Sequence, residues 1–195
     1  MGKHPGTFIV DRKGIVTARF FEDAYQERYT AGAILAARGA NSGTRALTAQ
    51  TNHLTLSASI SDATVAPGER VSIVVVATPR PTMHVYAPGK HDYQVVKVTI
   101  DPQAWLRLHE TRYPPSEIYH FKPLNERVEV YSKPFRLVQD VTILATPDVQ
   151  KLMSTLSTIT IAGSIDYQAC DDKICYNPAR VPISFTVTMK PLDRQ

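Results

Sequence analysis

The sequence contains few cysteines and no long apolar run. Only Cys170 and Cys175 occur among 195 residues, which is too few for a disulfide-framework scaffold and leaves one possible pairing. The longest apolar runs, residues 73–77 and the glycine-interrupted residues 31–37, are far shorter than the roughly 20 residues that span a bilayer. We therefore expect no membrane segment.

Charge of one sign does not dominate the sequence either. Lys and Arg number 22 and Asp and Glu 18, which gives a formal net charge of +4 at pH 7, and the basic residues are scattered singly. Nucleic-acid binding needs a basic stripe that follows the phosphates, so we expect no nucleic-acid partner. Residues 1–6 also lack the apolar stretch of a secretory signal, which predicts a cytoplasmic protein if Met1 is the true start.

Motifs of several common catalytic sites are missing as well. The sequence has no nucleophile elbow, no glycine-rich phosphate loop and no His-Glu-x-x-His helix. A single pair of cysteines without a second cysteine or histidine pair does not match a zinc site. We therefore expect neither a metal ion nor another cofactor.

The first forty residues predict a β-hairpin followed by a helix. Residues 7–10 and 15–21 have the β-branched and aromatic composition of strands. Residues 23–38 predict the helix, with Asp23 at its N-cap and Gly39 at its C-cap. So small a unit cannot bury its own apolar side chains, so we expect another part of this chain or another protein to cover them. These side chains are Phe8, Val10, Ile15, Phe20, Phe21, Ile34 and Leu35.

A linker and a β-rich domain are predicted after this unit. Residues 41–52 are polar, small and aperiodic, which is typical of a linker. Over residues 53–191, short β-rich runs are separated by Pro, Gly, Asp and Asn. Their alternation and spacing predict a mostly β chain folded as an immunoglobulin-like antiparallel β-sandwich. The predicted strands are 54–60, 71–77, 83–86, 93–100, 117–121, 127–131, 135–144, 158–168 and 181–189.

The two cysteines flank a short segment between two predicted strands. Their sulfurs could meet across a tight loop at a Cα separation that a disulfide tolerates. Closing so short a loop would stabilise the fold by only about 2 kcal/mol, so a structural staple, a redox pair and two unreactive thiols all remain open. Asp171 and Asp172 would raise the pKa of the Cys170 thiol and Lys173 would lower it, which favours a dithiol that passes electrons to a more oxidising partner.

Other polar residues could lie near such a pair. His84 and Tyr86 are two residues apart and share one face of their predicted strand, where they could tune or shield a thiol or form an ordinary edge pair. Residues 109–115 are polar and end in two prolines. They predict a loop that either covers a site or only connects strands.

Three ordered motifs carry a resemblance to a known family. Residues 167–178 (YQACDDKICYNP), 83–89 (MHVYAPG) and 116–119 (SEIY) resemble the N-terminal periplasmic domain of the thiol:disulfide interchange protein DsbD. The resemblance implies an immunoglobulin-like fold, a periplasmic location and a cysteine pair that cycles between disulfide and dithiol. It also implies that electrons pass between a membrane thiol reductant and a thioredoxin-fold partner.

The same resemblance assigns residues to the exchange site. It implies that Cys170 and Cys175 are the redox pair, and we further expect Cys175 to be buried and Cys170 to face the partner. The neighbouring site residues would be His84, Tyr86 and Tyr113. Tyr113 is the nearest aromatic in the loop that would take the place of the family's cap over the disulfide.

The first forty residues resemble a different family. Residues 4–16 (HPGTFIVDRKGIV) are similar to the back half of a peroxiredoxin-like (alkyl hydroperoxide reductase and thiol-specific antioxidant) thioredoxin fold, in which a hairpin and a terminal helix pack on the sheet. The front half of that fold, with its catalytic cysteine, is missing, so we expect no peroxidase activity. This resemblance implies that residues 1–40 are the C-terminal fragment of a redoxin and that residues 53–191 form the DsbD-like domain.

The leading hypothesis is therefore a thiol:disulfide exchange module that uses a thioredoxin-fold protein or a redoxin domain as its partner. Two alternatives remain. The sandwich could be a noncatalytic binding module with a structural disulfide. It could instead be an accessory domain of a peroxiredoxin-like antioxidant enzyme whose catalytic half lies outside these residues.

Overall fold

The structure, a computed structural model, describes residues 6–21, 27–40, 44–121 and 125–190. Strands dominate these residues, and most of them pair in antiparallel sheets. The mostly β sandwich predicted from the sequence is therefore confirmed. Neither helix in this part of the chain is long enough to cross a membrane.

Sixteen strands and two short helices form within the described residues. The first eight strands are β1 (Gly6–Val10), β2 (Val16–Phe21), β3 (Arg28–Tyr29), β4 (Thr44–Gln50), β5 (Leu54–Ile60), β6 (Thr64–Val65), β7 (Glu69–Pro79) and β8 (His84–Tyr86). The other eight are β9 (Lys97–Ile100), β10 (Leu106–Arg112), β11 (Glu117–Phe121), β12 (Glu126–Tyr131), β13 (Phe135–Ile143), β14 (Thr158–Tyr167), β15 (Ala169–Cys170) and β16 (Ala179–Met189). The helices are α1 (Ala31–Ala37) and α2 (Pro147–Met153).

The largest sheet has the strand order β10-β13-β7-β5-β4, and β3 pairs in parallel with the start of β7. Strands β7 and β13 lie inside this sheet, and nearly all of their side chains are buried. Helix α1 packs against both of them. Their Val- and Ile-rich sequences suit strands that are covered on two faces.

The second layer of the sandwich is a four-stranded sheet with the order β6-β16-β14-β9. Apolar side chains alternate along β14 and β16, and Ile159, Ile161, Phe185 and Val187 are buried. They join the apolar side chains of the largest sheet in one hydrophobic core. Two sheets that share a core in this way form a β-sandwich.

A third sheet, with the order β11-β12-β8-β15, carries the cysteine motif. Strand β15 pairs with β8, so that Cys170 lies opposite His84. The buried side chains of Tyr86, Val128, Val130 and Cys170 form a small apolar cluster apart from the main core. One of the two cysteines is therefore part of a packed interior.

The helix near the N-terminus is shorter than the sequence predicts. The prediction of a helix over residues 23–38 is wrong in extent, because β3 occupies two of those residues and pairs with β7. Thr30 is the N-cap, and its Oγ1 accepts a hydrogen bond from the Ala33 backbone N–H at 3.0 Å. The predicted cap Asp23 lies outside the described residues. Gly39 follows the helix with a φ of +88°, which suits its predicted role as the residue that ends it.

The predicted linker contains a strand. Residues 41–52 include β4, which pairs antiparallel with β5 at the edge of the largest sheet. The linker prediction is therefore wrong for residues 44–50. An edge strand can be held mainly by its backbone hydrogen bonds, so a polar and aperiodic composition does not reveal it.

Residues just before and within α1 dock onto the sandwich. The Glu27 carboxylate is buried, lies 3.5 Å from the Arg70 guanidinium and also contacts Arg107. Gly32 approaches the sandwich so closely that a Cβ atom there would lie 2.4 Å from the Ser61 carbonyl oxygen. From Glu27 onwards, the described residues of the N-terminal unit are thus packed against the sandwich.

The N-terminal hairpin remains largely uncovered. Its strands β1 and β2 pair with each other and with no other described strand. The Phe20 ring lies 5.1 Å from the Tyr29 ring, centroid to centroid, and is half-buried. The other four members of the predicted apolar set in this hairpin are more than half exposed: Phe8, Val10, Ile15 and Phe21.

Each strand predicted after residue 53 has a counterpart, although the one over 93–100 starts only at Lys97. The prediction of a loop over residues 109–115 is wrong for its first four residues, which end β10; of these, Thr111 and Arg112 pair with β13. The register of this pair shifts between Leu108 and Thr111. Residues 108–112 alternate between exposed and half-buried positions, but four of the five are polar, so no alternation of apolar and polar residues marks the strand in the sequence. Helix α2 is not predicted from the sequence.

Candidate functional site

The two cysteines are joined by a disulfide across a tight turn. The Cα atoms of Cys170 and Cys175 are 4.1 Å apart. The Asp171 carboxylate holds the turn, because its Oδ1 accepts hydrogen bonds from the backbone N–H groups of Lys173 and Ile174, each at 2.7 Å. These hydrogen bonds also lower the pKa of Asp171, so its carboxylate stays ionised.

The two cysteines differ in exposure. Cys170 is 1% exposed, because it lies in β15 opposite His84, whereas Cys175 follows the turn and is exposed. The expectation that Cys175 is buried and Cys170 faces the partner is therefore wrong. Cys175 is therefore the cysteine of the pair that is accessible from the surface.

The Tyr86 hydroxyl contacts both sulfurs. Its oxygen lies 3.0 Å from the Cys170 Sγ and 3.3 Å from the Cys175 Sγ. Disulfide sulfurs carry no hydrogen, so the phenol is the donor. Burial raises the pKa of Tyr86 far above its usual value, so the phenol keeps its proton and remains a donor at neutral pH.

His84 lies directly behind this contact. Its ring is buried, packs on the Tyr119 ring at 4.4 Å and meets the Tyr86 ring edge-on at 5.8 Å, both measured between centroids. Burial lowers the pKa of His84, and the nearby carboxylates of Asp172, Asp171 and Glu117, which act in the opposite direction, do not outweigh it. The ring is therefore neutral at pH 7. The structure thus brings His84 and Tyr86 together with the cysteines, as the sequence predicts.

Two further tyrosines, which the sequence analysis did not assign to the site, enclose it. Tyr93 stacks on Tyr86 and donates a hydrogen bond to Glu126 at 2.8 Å. Tyr119 covers His84 and donates a hydrogen bond to Asp172 at 2.7 Å. Hydrogen bonding to the carboxylates raises the pKa of both phenols.

Only one of these tyrosines has a signal in the sequence. Tyr119 belongs to the SEIY motif at residues 116–119, so that motif could have indicated it. Tyr93 belongs to the segment that connects β8 to β9, and only the fold of that segment brings its ring to Tyr86.

These residues line an open pocket of about 270 Å³ beside the disulfide. Aromatic and apolar side chains form most of its wall, and the charged groups are two carboxylates and one ammonium. Such a pocket offers a partner a mainly apolar surface next to the exposed sulfur. The lining residues are His84, Tyr86, Tyr93, Tyr119, Phe121, Glu126, Val128, Cys170, Asp171, Lys173, Ile174 and Cys175.

A metal site is not formed by the residues that the structure describes. Over 6–21, 27–40, 44–121 and 125–190, no three His, Cys, Asp or Glu side chains are grouped closely enough to hold an ion.

Comparison with known families agrees with this geometry. Residues 52–186 match the family described as thiol:disulfide interchange protein DsbD, N-terminal. The chain belongs to this family. A disulfide in a DsbD N-terminal domain fits a thiol:disulfide exchange relay module.

Two solved N-terminal domains are similar to this chain. The N-terminal periplasmic domain of ScsB from Proteus mirabilis shares 12% identity at a TM-score of 0.48, covering 76% of this chain and 51% of that one. The DsbD N-terminal domain from Neisseria meningitidis, in the reduced form, shares 14% identity at a TM-score of 0.41, covering 60% and 81%. The chain thus spans about half the length of the ScsB domain. No curated protein matches the chain.

Tyr113, which the DsbD resemblance suggests for the cap, lies elsewhere in this domain. It follows β10, is half-buried and packs against the main hydrophobic core. It does not line the pocket beside the disulfide. The structure therefore does not bring Tyr113 together with Cys170 and Cys175.

Proposed function

We propose that this DsbD-type domain relays electrons through reversible exchange at the Cys170–Cys175 disulfide. The observation that carries the proposal is the pairing of an exposed sulfur on Cys175 with a buried sulfur on Cys170 that contacts a phenol hydroxyl. A structural staple needs neither an exposed sulfur nor a hydrogen-bond donor on its partner.

The exchange proceeds in two steps that balance. A thiolate of the reduced partner attacks the Cys175 Sγ, a new S–S bond forms, and the Cys170–Cys175 bond breaks with its electron pair on the Cys170 Sγ. The partner's second thiolate then attacks the partner's first sulfur in this mixed disulfide, and the Cys175 thiolate is released. The partner leaves as a disulfide, and the domain, after taking up two protons, is a dithiol. Reversal of both steps passes the electrons to a more oxidising partner.

Tyr86 supports the first step without giving up its proton. When the S–S bond breaks, negative charge develops on the Cys170 Sγ, which lies 3.0 Å from the Tyr86 oxygen in the oxidised domain. A hydrogen bond to a charged acceptor is stronger than one to a neutral acceptor. Because burial raises the pKa of Tyr86, the phenol stabilises the thiolate by donation and not by proton transfer.

Partners and location follow from family membership and form part of the proposal. We infer a thioredoxin-fold dithiol as one partner and a membrane thiol reductant as the other, with exchange in the periplasm. The resemblance of residues 1–40 to the end of a redoxin fold, and a redoxin domain as partner, remain predictions.

The reduction potential of the cysteine pair tests the proposal. We expect a value between about −200 and −270 mV, the range of exchange proteins, from equilibration in glutathione or dithiothreitol buffers followed by alkylation and mass measurement. A value below about −300 mV would indicate a structural disulfide. The domain would then be a binding module, and the relay would be excluded.

Single-cysteine variants test the order of attack. In Cys170→Ser the remaining sulfur is the exposed Cys175, whereas in Cys175→Ser it is the buried Cys170. We expect Cys170→Ser to form a mixed disulfide with a thioredoxin that lacks its resolving cysteine at least about tenfold faster, as measured by mass under non-reducing conditions. Equal rates would contradict attack at Cys175.

A further inference from the structure

A second tyrosine fixes the orientation of Tyr86. The rings of Tyr93 and Tyr86 are stacked with centroids 4.1 Å apart and planes 3° from parallel. The Tyr93 hydroxyl donates a hydrogen bond at 2.8 Å to Oε2 of Glu126, the first residue of β12. The Tyr93 ring is therefore held by a neighbour on its face and by a carboxylate at its tip.

The contact of Tyr86 with the sulfurs depends on such support. Its hydroxyl lies between Cys170 and Cys175, 3.0 and 3.3 Å from the two Sγ atoms, and hydrogen bonds weaken steeply when distance or angle departs from the optimum. The Tyr93 ring occupies one face of the Tyr86 ring and blocks a tilt in that direction. Without it, that face of the Tyr86 ring loses the neighbour that stacks on it.

We propose that Tyr93, anchored by Glu126, is a positioning residue that keeps the Tyr86 hydroxyl on the Cys170 sulfur while that sulfur carries negative charge. The inference rests on the proposed exchange function. The hydrogen bond of the Tyr93 hydroxyl goes to Glu126, and the hydroxyl that contacts the sulfurs is that of Tyr86, so Tyr93 acts through Tyr86.

Glu126 has two opposite effects on the Cys170 thiolate. Its oxygen holds the Tyr93 ring in place, which favours the thiolate, whereas its negative charge disfavours it. A carboxylate near the site disfavours a second negative charge on Cys170. The value of Glu126 therefore lies in the acceptor that it offers to the Tyr93 hydroxyl. Glu126→Gln keeps an oxygen acceptor and removes the charge, which separates the two effects.

The test measures the acidity of the Cys170 thiol in the full chain. All proteins carry Cys175→Ser so that Cys170 is the only thiol, and its rate of alkylation by iodoacetamide is followed by mass against pH. We expect Tyr86→Phe to lower the acid dissociation constant about tenfold or more, because a hydrogen bond to the thiolate is lost. Tyr93→Phe keeps the stacked ring but loses the anchor on Glu126, and we expect a drop of about threefold.

The coupling between the two tyrosines is the decisive result. In the Tyr86→Phe background, Tyr93→Phe changes the dissociation constant by less than about 1.5-fold, because its effect requires the Tyr86 hydroxyl. Glu126→Gln leaves the constant unchanged or raises it. Two results would overturn the inference. One is an equal effect of Tyr93→Phe with and without the Tyr86 hydroxyl; the other is a large effect of Tyr86→Phe together with no effect of Tyr93→Phe.

Tyr131→Phe is the matched control. Tyr131 also stacks on an aromatic ring, that of Phe135 at 4.4 Å, and also donates a hydrogen bond, to the Pro114 carbonyl at 2.8 Å. It belongs to the main core and not to the pocket, so its removal leaves the Cys170 titration in place. The reduction potential of the wild-type chain decides the exchange function separately, so a failure of that function and a failure of this inference give different results.

Discussion

Ile174 places a large apolar side chain beside the exposed Cys175. It lies in the turn between the two cysteines, lines the pocket and is 57% exposed. An apolar side chain so exposed next to a reacting atom is typical of an anchor in a protein–protein contact. A small reductant does not need such an anchor.

We therefore expect Ile174→Ala to slow exchange with a thioredoxin-fold partner about tenfold and to leave reduction by dithiothreitol unchanged. Stopped-flow fluorescence with both reductants measures the two rates. Leu156→Ala is the control, because Leu156 is also exposed but does not line the pocket. Equal slowing with both reductants would show that Ile174 supports the turn and not the docking.

His84 makes stability depend on pH. Burial lowers its pKa below the usual 6.5, so between the folded-state pKa and 6.5 the unfolded chain binds a proton that the folded chain does not. Stability from this residue is present above pH 6.5 and is lost as the pH falls through that window.

His84→Phe keeps a ring against Tyr119 and removes the titration. We expect this variant to lose less stability than wild type between pH 7.5 and pH 5, as measured by urea unfolding at both values. His120→Phe, at an exposed position, is expected to lose as much stability as wild type. Identical losses for wild type and His84→Phe would contradict the assignment of the pH dependence to His84.

Helix α1 depends on a close fit to the sandwich. A glycine within a helix is usually improved by alanine, by about 0.5 to 1 kcal/mol. At Gly32 a Cβ atom would lie 2.4 Å from the Ser61 carbonyl oxygen and within 2.8 Å of both Asp62 carboxylate oxygens. The backbone oxygen cannot rotate away as a side chain could.

We expect Gly32→Ala to lower the free energy of unfolding by about 1 to 3 kcal/mol, because the helix must move off the sandwich. Leu35→Ala on the exposed side of the same helix changes it by less than about 0.5 kcal/mol. Chemical denaturation of both variants measures the difference. A stabilised Gly32→Ala would mean that α1 is not docked as described.

The strands differ in how well the sequence predicts them. Strands β5 and β11 match their predicted bounds at both ends, because their side chains alternate between a buried and a more exposed face. Strand β4 shows no such pattern, and β10 is mostly polar, with no fully buried side chain. Both lie at edges of the largest sheet, where pairing with a neighbour decides the structure more than side-chain burial does.

On the scale of the whole molecule, the family match and the folded unit do not begin at the same residue. The match starts at residue 52, but β3, α1 and β4 before it complete the largest sheet and cover β7. The buried contacts of Glu27 with Arg70 and Arg107 belong to the same interface. Breaking a buried ion pair by removing one partner costs about 3 to 5 kcal/mol.

Two shortened chains with the native C-terminus test where the folded unit begins. A chain that starts at residue 27 loses only the exposed hairpin among the described elements, and we expect it to melt within about 3 °C of the full chain. A chain that starts at residue 52 leaves Arg70 without Glu27 and β5 without its edge partner, and we expect it to melt at least about 10 °C lower. Circular dichroism melts compare them, and equal melting of the two shortened chains would place the boundary at residue 52.

The sequence by itself determined the β class, the sandwich fold and the location of the cysteine chemistry in the short segment from Cys170 to Cys175. Alternation along strands is a local property, and Cys170 and Cys175 are the only cysteines in the chain, so both conclusions could be drawn without coordinates. The placement of His84 and Tyr86 on one face of the same strand could also be predicted, because it depends only on their spacing of two residues.

Only the tertiary structure decided which sulfur is buried and what surrounds it. Cys170 is buried because β15 pairs with β8 so that Cys170 lies opposite His84, and the turn leaves Cys175 exposed. This arrangement reverses the expectation from the sequence. The folding of the segment before β9 brings Tyr93 onto Tyr86, while Tyr113 packs into the main core. These placements follow from contacts between residues distant in sequence, and no local pattern of residues encodes them.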